Sequence, residues 1–412
     1  MSRKTAFVGF SYMAGLLLAS FFSAPLSIAI GAVLLGFGLC TVFIFRPKHS
    51  GSFYRSAVCA IACCVGLWIY SGYDMTVCRN ITANIGNFSG TVTIEQSTVY
   101  SEEKAFYIAH CTFPNGASGN VGFFDRRSDL VKGDKITLSG QLYAPENTGF
   151  FNSADYYRSM NVFLLMKSVR TSGYEIKEHN FYRTLDDFRH NVSDTIRKYV
   201  PSEESELLIG MLFGSSKWNM SDRTENLLYR AGIGHVAAVS GLHMSVAAGI
   251  AAALAIALRL PKWGQFISVT AVSLLFAMTA GFTPSVVRSL IMVMFVWAAG
   301  IFNRRSDSLT SLAAAIIIMT ISSPFIVRST SFLLSVSGTI GTAVLSPMFI
   351  NAYEKKMERK TDLPYHVGAL TSALCSSLCA AASVFPVSAL TFDQISIASP
   401  LTNLLLSPLC TA

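Results

Sequence analysis

Residues 232–245 read Gly232-Ile-Gly-His235-Val-Ala-Ala-Val-Ser240-Gly241-Leu-His243-Met-Ser, where a polar, mixed-charge segment gives way to a long apolar run. The two histidines and the serine lie at the start of a predicted membrane helix, where polar groups are costly and usually face a bundle interior or a watery path. On a continuous helix His243 falls between His235 and Ser240, within an arc of roughly 140°. Gly232 and Gly241 permit close helix contact or local unwinding here. This stretch is the strongest functional candidate.

Composition places the chain among membrane proteins. Hydrophobic residues make up 51% of the 412 residues and charged residues only 14%, with a mean hydropathy of +0.46. A soluble domain carries about 25% charged residues, so this composition excludes a purely soluble protein. The formal charge of +8 requires no acidic partner, because basic residues accumulate in the cytoplasmic loops of membrane proteins.

Three apolar runs begin the chain, at 6–22, 26–45 and 56–73. Basic residues precede the first run and fill the loop between the second and the third, which predicts a cytoplasmic N-terminus. The third span would then deliver residues 79–230 to the outside.

The exported part alternates apolar and polar residues in the manner of half-buried strands. This alternation predicts strands at 88–99, 104–111 and 135–143, and the segments 120–124 and 162–170 are added as two further strands. Short strands with turn signals between them predict a small β-barrel of the OB type. Such a barrel suits single-stranded nucleic acid, but the charges of residues 79–200 nearly balance. A structural or docking role is therefore at least as well supported.

Two further features belong to the exported part. Cys78 and Cys111 are the only cysteines in it, which makes them a disulfide candidate in an oxidising compartment. Residues 181–200 and 203–231 are predicted as two amphipathic helices separated by Pro201-Ser202, lying on the membrane surface or capping the bundle.

Apolar runs resume after the second amphipathic helix. The predicted spans are 235–258, 265–282, 286–302, 309–327, 331–350, 366–390 and 395–412. Basic clusters then fall on the inside three times, as the positive-inside rule requires. The sequence therefore predicts a polytopic α-helical membrane protein of about ten spans with an inserted extracytoplasmic OB-like barrel. The predicted domains are 1–78 (three spans), 79–180 (barrel), 181–231 (interfacial helices) and 232–412 (channel domain, with an incomplete C-terminal end).

Four stretches carry a resemblance to the ComEC competence family, inner-membrane channels for transforming DNA. They are Gly-His235-Val-Ala-Ala-Val-Ser240-Gly-Leu-His243, Pro284-Ser-Val-Val-Arg288-Ser-Leu-Ile-Met, Ser-Phe-Leu-Leu-Ser335-Val-Ser-Gly and Ser-Pro400-Leu-Thr-Asn403-Leu-Leu. The resemblance covers roughly residues 10–412. Family members often continue into a metallo-β-lactamase-like domain, but this sequence has no His-x-His-x-Asp-His cluster, so we expect a short or truncated form.

The resemblance implies a channel that passes single-stranded DNA into the cytoplasm during natural transformation, and not an enzyme. It implies no cofactor and no metal. The expected partners are single-stranded DNA, the lipid bilayer, a DNA receptor outside and a helicase-like motor inside, with a homo-oligomer as an open alternative. The implied location is the bacterial inner membrane.

The candidate path residues are His235, Ser240, His243, Arg288, Ser335 and Asn403. Gly232, Gly241, Pro284 and Pro400 are the motif residues with structural roles. Arg288 is placed either to attract phosphates or to snorkel to the interface, and the histidines either line the path or bond neighbouring helices. Two alternative functions stay open, a transporter for a smaller anion and a membrane-embedded hydrolase that uses Ser240 with His243.

Overall fold

The computed structural model describes residues 4–44, 51–101, 104–146, 153–177, 180–214, 222–231, 239, 241–357, 365–391 and 402. The chain forms two compact units. The first is Met1–Val192 with Ala313–Ser329, and the second is Ser193–Leu312 with Thr330–Ala412.

The first unit combines apolar helices with a β-barrel. Its elements are α1 (Lys4–Ala19), α2 (Ala24–Ile44), α3 (Gly51–Tyr73), a π-helical segment (Asp74–Cys78), α4 (Arg79–Thr82), β1 (Gly86–Ser101), β2 (Lys104–Thr112), β3 (Ser118–Asp125), β4 (Lys135–Tyr143), α5 (Ser153–Ser159), β5 (Val162–Glu175), the first part of α6 (Phe181–Tyr199), the last part of α12 (Ser308–Ser322) and a 3₁₀ turn (Pro324–Arg328).

The five strands close into a barrel in the order β1-β2-β3-β5-β4, with β3 and β5 parallel and the other pairs antiparallel. Alternate side chains fill the interior, among them Tyr107, Phe123 and Leu138, which are at most 1% exposed. This period-2 alternation is the pattern that predicted β1, β2 and β4. The predicted five-stranded barrel is confirmed, and its closure fits an OB-like barrel loosely.

A buried carboxylate joins the barrel to α6. Asp134 is fully buried, and it accepts hydrogen bonds from the backbone N–H groups of Val131 (3.0 Å) and Lys177 (3.2 Å). The Arg183 guanidinium on α6 completes the set with an ion pair of 2.8 Å to the same carboxylate. Because every described contact of this buried charge is a donor, removal of one partner would leave it undercompensated.

The barrel is held on the helices of its own unit by an aromatic cluster. The Phe325 ring, in the 3₁₀ turn, lies 4.9 Å from the ring of Tyr70 on α3 and 5.7 Å from the ring of Phe163 on β5. The same turn places Arg328 in an ion pair of 2.8 Å with Asp155 on α5. Rings packed edge to face at these distances stabilise the junction beyond their buried area.

The second unit is helical. It contains the remainder of α6 and of α12, with α7 (Ser202–Phe213), α8 (Asp222–Arg230), α9 (Gly241–Ala257), α10 (Lys262–Thr279), α11 (Pro284–Ile301), α13 (Thr330–Ile340), a π-helical segment (Gly341–Leu345), α14 (Ser346–Met357) and α15 (Tyr365–Thr391). The helix predicted over 203–231 is wrong in its extent, because α7 ends where Gly214 adopts a left-handed φ of 71°.

Four helices are long and apolar enough to cross a bilayer: Arg55–Thr82, Pro284–Ile301, Thr330–Ala352 and Ser372–Thr391. Shorter apolar helices lie at Lys4–Ala19, Ala24–Gly36, Gly241–Ala257 and Ser308–Ser322. The described chain is therefore mostly helical, with four candidate spans. The count of about ten spans and the extracytoplasmic position of the barrel stay predictions, and most of the last predicted span, 395–412, lies outside the described residues.

The predicted disulfide between Cys78 and Cys111 is not present, because both cysteines are free and buried. Cys111 shares the interior face of β2 with Tyr107 and Ala109. Burial there raises the pKa of its thiol to about 12. The prediction rested on a shared compartment alone, whereas a disulfide also needs facing Cβ atoms about 4 Å apart.

Mass spectrometry of a non-reducing digest should therefore find no peptide that links Cys78 to Cys111. Cys111 should also resist maleimide at pH 7.5 in the folded protein and react after denaturation, because a buried thiol supplies almost no thiolate. A linked peptide in protein purified without oxidant would contradict the free-thiol structure.

Arg183→Ala should destabilise the barrel by roughly 2–4 kcal/mol, because it leaves the Asp134 carboxylate buried with one charged partner fewer. Faster hydrogen exchange of the β4 amides in the detergent-solubilised full chain would report this loss. Arg170→Ala removes an exposed barrel cation and should change exchange little. Equal exchange in both variants would refute the role of this ion pair.

Candidate functional site

The candidate site lies in the second unit, where α11 contacts both the start of α9 and α13. Pro284 opens α11 with the fixed φ that suits a first helical position. One residue later, the Ser285 hydroxyl donates to the carbonyl of Val239 at 3.2 Å. These contacts fix the first turns of α11 against the segment that leads into α9.

Arg288 occupies the centre of the site and is 8% exposed. Its Nη1 donates to the backbone carbonyl of Ser335 at 3.2 Å and to the Thr339 hydroxyl, both on α13. Its Nη2 lies 3.4 Å from the hydroxyl of Ser289. The Nε atom is buried and has no hydrogen-bond partner in the described part of the chain. The guanidinium therefore links α11 to α13, and its Nε–H donor is not used by any described residue.

The charge of Arg288 meets no carboxylate among the described residues. No ion pair involves it there, and its neighbours are two hydroxyls, a carbonyl and the Met292 sulfur at 3.8 Å. Taking a guanidinium out of water costs several kcal/mol, and hydrogen bonds to a charged group offset about 1.5–3 kcal/mol each. A site of this kind attracts an anion, since a phosphate oxygen would both bind the spare donor and neutralise the charge.

Gly241 lets the first turn of α9 approach this arginine. A Cβ at this position would lie 2.7 Å from the Ser289 hydroxyl oxygen and 3.2 Å from Nη2 of Arg288. Both distances are shorter than ordinary van der Waals contact. The absence of a side chain at Gly241 is therefore what allows α9 and α11 to meet beside the guanidinium.

The structure assigns different groups to the two α13 positions that contact Arg288. Ser335 contributes its carbonyl, while Thr339, one turn later, contributes its hydroxyl, which also donates to the Ser335 carbonyl at 2.8 Å. Sequence reasoning selected Ser335 and missed Thr339 and Ser289. The available signal was the spacing of four residues, which puts Ser335 and Thr339 on one helix face.

The remaining sequence candidates divide into two groups. His243 lies half-buried in the first turn of α9. Five other candidates lie outside the described part of the chain: His235, Ser240, Asn403, Gly232 and Pro400. The predicted arc of three polar residues assumed a continuous helix from residue 235, but Val239 is not helical and α9 begins at Gly241. Val239 interrupts the continuous helix that this arc assumed, and His235 and Ser240 themselves lie outside the described residues.

A π-helical segment, Gly341–Leu345, follows directly after the α13 residues that hold Arg288. At its start, a Cβ on Gly341 would lie 2.6 Å from the carbonyl oxygen of Cys379, so α15 packs backbone to backbone here. Ser346, the first residue of α14, and Ser376 on α15 then share a hydrogen bond of 2.9 Å. Such π-helical turns occur frequently at functional sites, because they reset the helix face that follows.

Within the described residues, no group of three or more His, Cys, Asp or Glu side chains is placed to hold a metal ion. The described site consists of one buried cation with hydroxyl and carbonyl neighbours. A cation with neutral hydrogen-bond acceptors around it is chemically suited to an anion.

Comparison with known proteins gives two similarities. A family model described as "Competence protein" matches residues 211–412, which include the whole Arg288 site. The "ComE operon protein 3" of Bacillus subtilis (strain 168) is 23% identical over 285 residues, covering 68% of this chain and 35% of that protein. The chain thus spans about a third of the length of this relative. No solved structure matches the chain.

Gly241→Ala should lower the stability of the detergent-solubilised chain by about 1–3 kcal/mol, because the added methyl group overlaps Ser289 and Arg288. Gly249→Ala on the same helix is the matched control, since its Cβ would meet nothing within 4 Å. The control should be neutral or stabilising by up to about 1 kcal/mol, because alanine favours helix. Equal thermal midpoints for the two variants would show that Gly241 does not pack against the site.

Thr339→Val should destabilise the chain by about 1.5–3 kcal/mol, because it removes a hydroxyl that accepts from a buried charge. Ser335→Ala keeps the backbone carbonyl and should change the unfolding midpoint little. The reverse order of effects in the same thermal assay would mean that the Ser335 hydroxyl, and not its carbonyl, serves the arginine.

Proposed function

Because the chain belongs to the ComEC competence family, we propose that it forms part of the channel that passes single-stranded DNA into the cytoplasm during natural transformation. Its apolar helices make it a membrane protein. A DNA strand carries one negative charge per nucleotide and cannot enter hydrocarbon. The helices must therefore provide a hydrated path with cations that the phosphates can meet.

Arg288 is the observation that carries this proposal. A guanidinium inside an apolar bundle is energetically costly, and ionisable residues at such positions usually mark the path of an ion or substrate. Its planar set of donors matches the two free oxygens of a phosphodiester. A phosphate that arrives along the path would displace the Ser335 carbonyl and the Thr339 hydroxyl, which are neutral and therefore weaker acceptors.

Neutral acceptors also suit transport in a second way. A carboxylate would hold the guanidinium in a strong pair and compete with every phosphate, while hydroxyls and a carbonyl release it at lower cost. Conduction requires binding that is favourable enough for entry and weak enough for release. Arg288 would thus exchange between its helix partners and successive phosphates.

The topology that accompanies this function is also a proposal. The N-terminus would face the cytoplasm of a bacterial inner membrane, and the barrel with residues 79–230 would lie outside. In that arrangement a DNA receptor would deliver the strand at the barrel side and a helicase-like motor would draw it from the cytoplasmic side. His235, Ser240, His243 and Asn403 remain candidates for the same path.

Arg288→Gln should reduce uptake of labelled DNA at least about 10-fold in cells whose own channel gene is deleted and which express this chain. The factor follows from the loss of a charged hydrogen bond of about 1.5–3 kcal/mol. Arg288→Lys keeps the charge without the planar donor set and should retain intermediate uptake. Membrane levels of each variant are measured in the same cells.

Ser335→Ala is the control variant next to the site, and its uptake should equal that of the unaltered chain. Absence of uptake with the unaltered, membrane-inserted chain would contradict a DNA path formed by this chain. Full uptake by Arg288→Gln would contradict the role of the arginine. Uptake of a small organic anion that DNA does not inhibit would favour a transporter instead.

A further inference from the structure

A second cationic feature lies apart from Arg288, at the turns that follow α9 and α11. Four basic side chains are exposed there: Arg259, Lys262, Arg304 and Arg305. None of them forms an ion pair in the described part of the chain. Asp307, the acidic residue next along the chain, accepts from the backbone N–H (3.0 Å) and the hydroxyl (2.7 Å) of Thr310 at the start of α12. We name these four cations and their two turns the basic turn pair.

The backbone holds the two turns in the same shape. After α9, Arg259 takes a left-handed φ of 52°, and the N–H of Leu260 donates to the carbonyl of Ala255 at 3.0 Å. After α11, Asn303 takes the same φ, and the N–H of Arg304 donates to the carbonyl of Ala299 at 2.9 Å. Both are Schellman motifs, which end a helix with a defined exit direction.

A side-chain contact joins the turns. The ammonium of Lys262 donates to the side-chain oxygen of Asn303. The four cations therefore belong to one surface of the second unit, and they are presented by ordered turns.

Exposed apolar side chains lead directly into this surface. Ile250, Leu254 and Leu258 follow one face of α9 at a spacing of four residues and are 58%, 60% and 72% exposed. Trp263 and Phe302 are also exposed, and each directly neighbours the turns in sequence. An apolar helix face that ends in aromatic and basic residues is the arrangement that proteins use at the boundary between acyl chains and headgroups.

We propose that the basic turn pair binds the headgroup of an acidic phospholipid, with an acyl chain along the exposed face of α9. The phosphodiester would accept from Arg259 and from Arg304 or Arg305, while Lys262 adds positive potential from its fixed position. The exposed leucines favour lipid over nucleic acid, because a DNA strand in water has no apolar chain to cover them. The inference does not depend on the DNA path through Arg288.

Trp263 supplies the probe. In a variant with the other three tryptophans replaced by phenylalanine (Trp68, Trp218 and Trp297), phospholipids with brominated acyl chains quench Trp263 when they bind beside it. The full chain would be reconstituted in bilayers that contain either brominated phosphatidylglycerol or brominated phosphatidylcholine at equal mole fraction. The ratio of quenching gives the preference for the acidic headgroup.

We expect a preference for phosphatidylglycerol of at least about 5-fold, the factor that corresponds to one engaged basic side chain. Arg259→Gln, Lys262→Gln, Arg304→Gln and Arg305→Gln together should reduce the preference to about 1-fold. The matched control removes four exposed cations from the barrel, by Lys104→Gln, Arg126→Gln, Lys167→Gln and Arg170→Gln, and should keep it. Mass spectrometry of phosphatidylglycerol retained by the chain with its native tryptophans repeats the comparison without the tryptophan replacements.

Equal quenching by the two lipids in the chain with its basic turns intact would overturn the proposal. So would a preference that survives loss of the four turn cations. A single-stranded oligonucleotide that abolishes the phosphatidylglycerol preference at stoichiometric concentration would overturn it in favour of a nucleic-acid surface.

Discussion

The second unit depends on one physical constraint, which is that Arg288 keeps its charge inside an apolar helical bundle. The guanidinium obtains its hydrogen bonds from α13 and from its own helix, and Gly241 leaves the space beside it. These contacts determine how closely α9, α11 and α13 approach in this unit. A neutral residue of the same size would remove the electrostatic reason for the hydroxyls and the carbonyl that surround it.

In the first unit, the contacts that matter are those that hold the small barrel on the apolar helices. Aromatic rings from α3, β5 and the 3₁₀ turn pack together, and Arg328 pairs with Asp155 at the edge of this cluster. Elsewhere in the same unit, Asp134 ties α6 to the loop before β4. The barrel is thus fixed by packing where it is apolar and by a satisfied buried charge where it is polar.

The sequence predicted those features that depend on local pattern. Three of the five strands follow from alternation with period 2, and Pro201 separates α6 from α7 as predicted. Local pattern also located Arg288, because a cation after Pro284 in an apolar run is conspicuous. It carried the second amphipathic helix past Gly214, where α7 ends.

Features that depend on which elements meet were not predictable. The partners of Arg288 lie 47 and 51 residues away on α13, so no spacing rule pairs them. The same limit explains the wrong disulfide, because a shared compartment says nothing about whether two Cβ atoms face each other. It also explains why Ser335 was selected and Thr339 was missed.

Cysteine accessibility at position 292 reports on a hydrated path beside Arg288, because the Met292 sulfur lies 3.8 Å from Nη1 of Arg288. In cells that express Met292→Cys, the rate at which the new cysteine reacts would be measured with two small methanethiosulfonates, one carrying a sulfonate group and one an ammonium group. The rate of the unaltered chain would be subtracted for each reagent. If a hydrated anion path runs beside Arg288, the anionic reagent reacts faster than the ammonium reagent. Arg288→Gln should remove this preference, and DNA arrested during uptake should block the reaction. A position that neither reagent reaches, or that reacts equally with and without arrested DNA, would contradict a hydrated anion path beside Arg288.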